Sequence, residues 1–181
     1  MYTGSGNSKT LQIGFRGLPQ EKIDNLRDEL FPSSEHFHKA MFIAIKKTAR
    51  WAQTVAAKNI KADTGLPSKK IKERMRMFRR GNTMRLYFGL NPIPVSSLNP
   101  KQTKKGVSAK GGVNIPGAFI VDNGDGVAVF KRRGSEAYSI EFQRVYFDVE
   151  AMRVIQADIE PHLQDKFYEI LEHELKWQMT K

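Results

Sequence analysis

The sequence predicts an α+β domain: N-terminal helices with one long member, a small and mostly antiparallel sheet carrying a basic loop, and a C-terminal amphipathic helix. Three observations carry that prediction. A long apolar stripe at helical spacing fills much of the first third, the middle breaks into short β-rich segments punctuated by Gly and Pro, and a second helical stripe closes the chain. Helices, then strands, then a helix make an α+β pattern; a parallel nucleotide-binding sheet needs strands and helices to alternate.

Taken in order, residues 1–10 are rich in Gly, Ser and Asn and predict a flexible start, with Leu11–Gly14 a short edge strand. Gly17–Leu18–Pro19 is a turn, and Pro19 suits the first turn of a helix. Ile23, Leu26 and Leu30 then recur at helical spacing, which predicts a helix over Gln20–Leu30 ended by Phe31–Pro32. Ser33 and Ser34 offer capping hydroxyls for the next helix, and Glu35 suits its first turn. That helix runs from about Ser34 to Lys61. Phe37, Met41, Ala44, Ile45, Thr48, Ala52, Val55, Ala56 and Ile60 form its stripe, and Phe42 and Trp51 lie off it as a second contact face. Asp63–Thr64–Gly65 closes it, with Gly65 suited to a left-handed terminus.

Leu66–Arg80 (LPSKKIKERMRMFRR) carries seven Lys/Arg against one acid, Glu73. It predicts a second helix over Ser68–Arg80, anchored by Ile71, Met75 and Phe78 and ended at Gly81–Asn82. Thr83–Gly89 alternates and is rich in β-formers, so it predicts a strand. Asn91–Pro100 holds three prolines and predicts an irregular connection. Lys101–Gly112 (KQTKKGVSAKGG) is basic and without periodicity, which predicts a mobile loop. Val113–Val121 is a strand interrupted at Pro116–Gly117. Asn123–Gly124–Asp125–Gly126 is a turn, Val127–Lys131 its returning strand, and Ser139–Tyr146 a further strand after a turn at Arg132–Gly134. Val149, Met152, Ile155 and Ile159 predict a short helix stopped or kinked at Pro161. Leu163, Phe167, Ile170, Leu171 and Leu175 give the last helix its stripe.

A length of 181 residues suits one domain over 1–181 with a core of its own. Cysteine is absent, so disulfides, thiolate chemistry and Cys-based zinc sites are excluded, in keeping with folding in a reducing compartment. No apolar run reaches the roughly 18 residues that cross a bilayer, and the N-terminus lacks the apolar core of a secretory signal. A soluble protein with no membrane partner is expected.

The net charge is +11, and the stretch Gly65–Gly112 alone holds twelve Lys/Arg and one acid. One region therefore accounts for the whole surplus. Such a surface implies a polyanionic or acidic partner. Lys69, Lys70, Lys72, Arg74, Arg76, Arg79, Arg80, Lys101, Lys104, Lys105 and Lys110 are the candidate contact residues for assembly or for a polyanion. No helix-turn-helix, zinc-finger or RRM signature is present, so contact with nucleic acid would be to the phosphate backbone and sensitive to salt.

No catalytic residue, metal ligand or cofactor site is predicted. His36 and His38, two residues apart, do not share a helical face. His162 and His173 stand roughly 16 Å apart along their helix. Glu169, Glu172 and Glu174 read as that helix's solvated side. Gly124–Asp125–Gly126 lacks the other acids of a calcium loop, and Gly111–Gly112 beside Lys110 lacks the spacing of a phosphate-binding loop.

The alanine-bearing KAMFIAIKKTARWAQTVAAK is followed by GLPSKKIKERMRMFRR, a basic loop ending in KGG, then NIPGAFIV, VAVFKRRG and YSIEF. In this order and spacing the chain resembles the minor tail protein Z family of lambda-type tailed bacteriophages over roughly residues 38–178. KERMRMFRR and IPGAFI are the most specific pieces. The resemblance implies a structural virion protein, made in the host bacterial cytoplasm and acting in tail completion at the head-proximal end of the tail. It implies tail or neck proteins as partners and carries no catalytic residue. A homo-oligomer, ring-like by analogy with other tail-completion proteins, and non-specific contact with genome DNA would follow. A stand-alone basic nucleic-acid-binding module is the alternative.

Overall fold

A computed structural model describes residues 10–16, 34–80, 83–122, 124, 126–134 and 139–180. Of the flexible start expected over 1–10, residues 1–9 lie outside these residues and Thr10 is already in a strand. The turn at Gly17–Pro19, the helix over Gln20–Leu30 and its end at Phe31–Pro32 also lie outside them. The Gly81–Asn82 stop and Asn123 and Asp125 of the hairpin turn lie outside them too.

The elements are β1 (Thr10–Arg16), α1 (Ser34–Thr64), α2 (Ser68–Lys72), β2 (Met75–Arg80), β3 (Thr83–Gly89), β4 (Ile93–Pro94), a 3-10 turn (Val95–Leu98), β5 (Lys101–Thr103), β6 (Gly106–Ala109), β7 (Val113–Pro116), β8 (Ala118–Asp122), β9 (Val127–Arg132), β10 (Ile140–Phe142), β11 (Arg144–Val145), α3 (Asp148–Val154) and α4 (Leu163–Met179). The expected α+β class holds: one long helix, small antiparallel sheets, and a C-terminal helix.

At 31 residues, α1 spans roughly 46 Å. Its small residues let neighbours approach on both halves. The N-terminal half buries Phe37, Ala40, Met41, Ala44 and Ile45 against Phe167, Leu171 and Leu175 of α4. The C-terminal half buries Ala52, Ala56, Ala57 and Ile60 against Leu86 and Phe88 of β3, Leu11, Ile71, Met75 and the Val154–Ile159 stretch. Trp51 packs against this second cluster, as its place off the stripe implied, whereas Phe42 is exposed.

Between α3 and α4 the chain makes a π-turn over Ile155–Ile159 and a 3-10 turn over Glu160–His162. The expected interruption at Pro161 is therefore present. Proline lacks the N–H that would continue the α-helical ladder, and the wide and tight turns absorb the break while Ile155 and Ile159 stay buried. Val149, expected on the same stripe, is 68% exposed. Phe147, Ala151 and Val154 take the inward positions instead.

The first sheet has the order β1-β3-β2, with β1 at an edge as expected. The second part of the β region is two three-stranded antiparallel sheets, β5-β6-β7 and β10-β9-β8. They enclose a small core of Val95, Val107, Ala118 and Val129. Gln102 ties them together: its side-chain amide donates to the Ala118 carbonyl at 3.2 Å and accepts from the Ile120 N–H at 2.9 Å, as a neighbouring strand's peptide would.

Two expectations about the basic segments are corrected. The helix over Ser68–Arg80 stops after five residues at Lys72, and Met75–Arg80 is strand β2, paired with β3 from Met75↔Phe88 to Arg80↔Thr83. MRMF alternates as well as it repeats at helical spacing, and the partner strand Thr83–Gly89 begins three residues after Arg80 in the sequence. Cross-strand pairing decides between the two readings. Phe78 is accordingly not a core anchor; it is 54% exposed. Lys101–Gly112, expected as a mobile loop without periodicity, likewise holds two strands. Lys101–Thr103 pairs with Gly106–Ala109, which pairs in turn with Val113–Pro116. Polar strands at a surface leave no periodicity to read, because only Val107 and Gly106 are buried. The bend expected at Pro116–Gly117 separates β7 from β8, and Val127–Arg132 returns as predicted.

Candidate interaction surface

The basic segment starts where α1 ends. Gly65 takes the left-handed conformation at φ +72 and donates its N–H to the Lys61 carbonyl at 2.8 Å. The Thr64 hydroxyl donates to the Ile60 carbonyl at 2.6 Å and accepts from the Leu66 N–H at 3.2 Å. Leu66 is then buried, which fixes the direction in which α2 leaves the corner.

At this corner the chain lies directly on the β6–β7 turn. A β-carbon on Gly65 would stand 2.7 Å from the Gly111 carbonyl oxygen. The contact places Lys110 beside the root of α2, and the Lys110 N–H is held by the Leu98 carbonyl at 2.9 Å. The two basic stretches of the sequence thus meet at one point. Ile71, 1% exposed, pins α2 while Lys69 and Lys72 face solvent. Lys70 is paired with Glu73 at 3.0 Å, an exposed bridge of small worth.

Strand pairing sorts the next residues by face. Met75, Leu86 and Phe88 are buried on the core side. Arg76 lies opposite Tyr87 and Phe78 opposite Arg85, so all four share the outward face. Arg76, Phe78 and Arg85 are exposed there, and Phe78 meets Tyr87 edge-on, 5.2 Å between ring centres. The result is a checkerboard of two guanidiniums and two aromatic rings. Arg85 and Tyr87 were not among the candidates drawn from the sequence. Their signal was available in the alternation of TMRLYFG, but it acquires meaning only once β2 is a strand. Arg79 and Arg80 extend the hairpin by backbone pairing with Met84 and Thr83.

The other lysines stand apart. Lys104 and Lys105 form the β5–β6 turn, at the far end of β6 from Lys110 and so about 15 Å away by strand rise. Lys101 is exposed on β5 opposite Ser108. An open cleft of about 260 Å³ beside them is lined by Thr103, Lys105, Gly106, Val107, Asn114, Ile115 and Pro116. Lys105 is its one ionisable side chain, so the cleft holds no acid–base pair.

Ionisable groups elsewhere make structural pairs. Arg153 of α3 pairs with Asp63 at the end of α1, and that hydrogen bond and charge raise the guanidinium's pKa. The Glu172 carboxyl is held below its ordinary value by the hydrogen bond from Lys176 and by that ammonium's charge. Glu174, expected on the solvated side of α4, is 4% exposed. It sits seven residues after Phe167 and three after Leu171, and so falls on the buried stripe, where the Lys47 ammonium reaches it at 2.5 Å. His36, His38, His162 and His173 are exposed. Among the described residues no three His, Asp or Glu converge to hold a metal ion, and no helix is long and apolar enough to cross a membrane.

No protein-family model, curated protein or solved structure matches the chain.

Proposed function

We propose that this chain is a structural protein of a phage or prophage tail, acting in tail completion at the head-proximal end, where it contacts tail or neck proteins and other copies of itself. The observation that carries the reading is the outward face of the β2–β3 hairpin. Phe78 and two arginines are presented there by paired strands whose other face is anchored in the core. Aromatic and Arg side chains held on such a frame are the groups that dominate protein interfaces. The order of KERMRMFRR, KGG and IPGAFI, which resembles the minor tail protein Z family, supplies the biological setting. In that setting the chain is a component of the virion and does no chemistry.

The test is mass spectrometry and electron microscopy of purified particles, with a deletion of the coding sequence alongside. The chain is expected near the head–tail junction, and its deletion is expected to leave heads and tails that do not make infectious particles. Absence from the particle overturns the reading.

The alternation of Arg76, Phe78, Arg85 and Tyr87 also favours a second reading, a module that contacts nucleic acid through phosphates and stacking. Binding of the isolated chain to non-specific duplex DNA, with a steep loss between low and physiological salt, would support it. Binding that Arg76→Ala and Arg85→Ala leave unchanged would remove it.

A further inference from the structure

The strands β8, β9 and β10 carry a feature that the basic surface does not absorb. Phe119 lies opposite Phe130, and Phe130 opposite Phe142, so one row of three phenylalanines crosses the sheet. Ring centres are 6.3 Å and 5.7 Å apart along the row. The other face of this sheet supplies Ala118 and Val129 to the small core, so the phenylalanine row faces outward. None of the three is part of the cores formed by the described residues. Exposed Val121 and Ile140, the latter 50% exposed, continue the same face. Cations edge it: the Arg132 guanidinium lies 5.9 Å from the centre of the Phe119 ring, and that of Arg144 lies 5.3 Å from Phe142.

A cross-strand aromatic row stabilises a sheet by itself, and Arg stems cover ring faces. That explains the phenylalanines. It does not explain why Val121 and Ile140 extend the apolar surface into solvent, where patches of this kind mark contact sites.

The complement to this face lies further along the same chain. Val145 and Phe147 point inward, so Arg144 and Tyr146 point out, and Tyr146 is 70% exposed. Val149, 68% exposed, comes next on the first turn of α3 between Asp148 and Glu150. The stretch Phe147–Leu175 holds eight Asp/Glu and two Lys/Arg, the reverse of the basic surplus elsewhere. Ile140–Glu150 therefore presents an apolar face edged with cations, then an apolar knob edged with carboxylates.

We infer that the outward face of β8, β9 and β10 is a docking site for a second copy of this chain, whose Tyr146–Val149 knob seats on the phenylalanine row with Asp148 and Glu150 against Arg132 and Arg144. The inference rests on the assembly reading and deepens it by naming the partner and the surface. Aliphatic Ile140 and Val121 on the face favour a protein occupant over stacked bases, and the carboxylates beside the knob match the cations beside the row. Shared apolar burial sets affinity, while the charges set orientation.

The experiment is sedimentation velocity of the purified full chain from about 1 to 100 μM, a range that reports micromolar association. Reversible self-association is expected. Ile140→Asp and Val149→Asp, both at exposed positions, are each expected to weaken it about tenfold or more, the size of a centrally placed contact. Circular dichroism is expected to stay unchanged. Mixing the two variants is expected to restore a heterodimer, because each retains the half the other lacks. Arg144→Glu is expected to weaken association and Arg144→Glu with Glu150→Arg to regain it. A chain monomeric at the highest concentration overturns the inference, as does self-association indifferent to both Asp variants. A twenty-residue oligothymidine whose binding is lost with Ile140→Asp, in a monomeric chain, overturns it in favour of nucleic acid. A monomer that is nonetheless present in the particle removes this inference and leaves the tail reading standing. A self-associating chain absent from the particle does the opposite.

Discussion

Gly65 and Gly111 meet backbone to backbone, so closely that a β-carbon on Gly111 would lie 3.0 Å from the Gly65 carbonyl oxygen and one on Gly65 2.7 Å from that of Gly111. The end of the longest helix is therefore seated on the turn of a surface sheet, and the two basic stretches share that joint. Alanine at either position adds a left-handed non-Gly residue, at a cost of about 1–2 kcal/mol, to a clash with backbone that cannot swing away. We expect Gly65→Ala and Gly111→Ala each to lower stability in urea by about 2 kcal/mol or more. Gly112→Ala, left-handed but with open space around it, is expected to cost about half of that. Equal losses at all three would mean that the close approach contributes nothing.

The strand assignment of Met75–Arg80 separates residues that a helix would have grouped. Ile71→Ala, at a fully buried position, is expected to cost about 2–4 kcal/mol. Phe78→Ala, on the outward face, is expected to cost about 0.5 kcal/mol. Chemical denaturation of the two variants decides. A Phe78→Ala loss as large as that of Ile71→Ala would restore Phe78 to the core.

Glu174 is buried and its carboxylate is met by Lys47, itself half exposed. Lys47→Ala leaves that carboxylate without its ammonium partner and is expected to cost about 1–2 kcal/mol, discounted from a fully buried pair because Lys47 reaches solvent. Glu174→Leu, which extends the apolar stripe, is expected to be neutral or stabilising. Thermal unfolding of both variants checks the sign. A stabilised Lys47→Ala variant would contradict the arrangement.

Gln102 joins two sheets by imitating a peptide unit. Gln102→Ala removes both hydrogen bonds to β8 and is expected to cost about 1–2 kcal/mol. The Ile120 amide is expected to exchange with solvent faster, by about tenfold or more, than in the wild type. Unchanged exchange at Ile120 would show that the clamp is dispensable.

The Glu172–Lys176 pair gives a pH dependence with a definite sign. The folded-state carboxyl pKa is lowered from the ordinary value of 4.5. Its contribution is present above the unfolded value and is lost as pH falls through the lower folded one. The difference in Tm between wild type and Glu172→Gln is expected to be small at neutral pH, since the pair is exposed, and to close between about pH 5 and pH 3. A difference that widens on acidification reverses the sign and removes the assignment.

Much of the interaction surface was legible as composition and little of it as geometry. The basic surplus of Gly65–Gly112, the end of α1 at Gly65 and the hairpin of β8 and β9 all come from local rules, because capping and turn chemistry act within a few residues. Which cations stand together does not come from such rules. Lys110 joins α2 only through the glycine contact, while Lys104 and Lys105 end on the far side of a strand that looked like loop. Arg85 and Tyr87 entered the surface because pairing across a hairpin put them there.

By itself, the sequence determined the α+β class, the long helix with its apolar stripe, the break at Pro161 and the location of the charge. Each is written in spacing or in residue type, and each acts at short range. The tertiary structure alone decided that MRMFRR is a strand, that Glu174 is inside, and that Phe142 joins Phe119 and Phe130 of the hairpin in one row. The physical reason is the same in all three. An ambiguous or polar segment takes its conformation from the partner that satisfies its backbone and covers its side chains, and that partner is chosen by the fold.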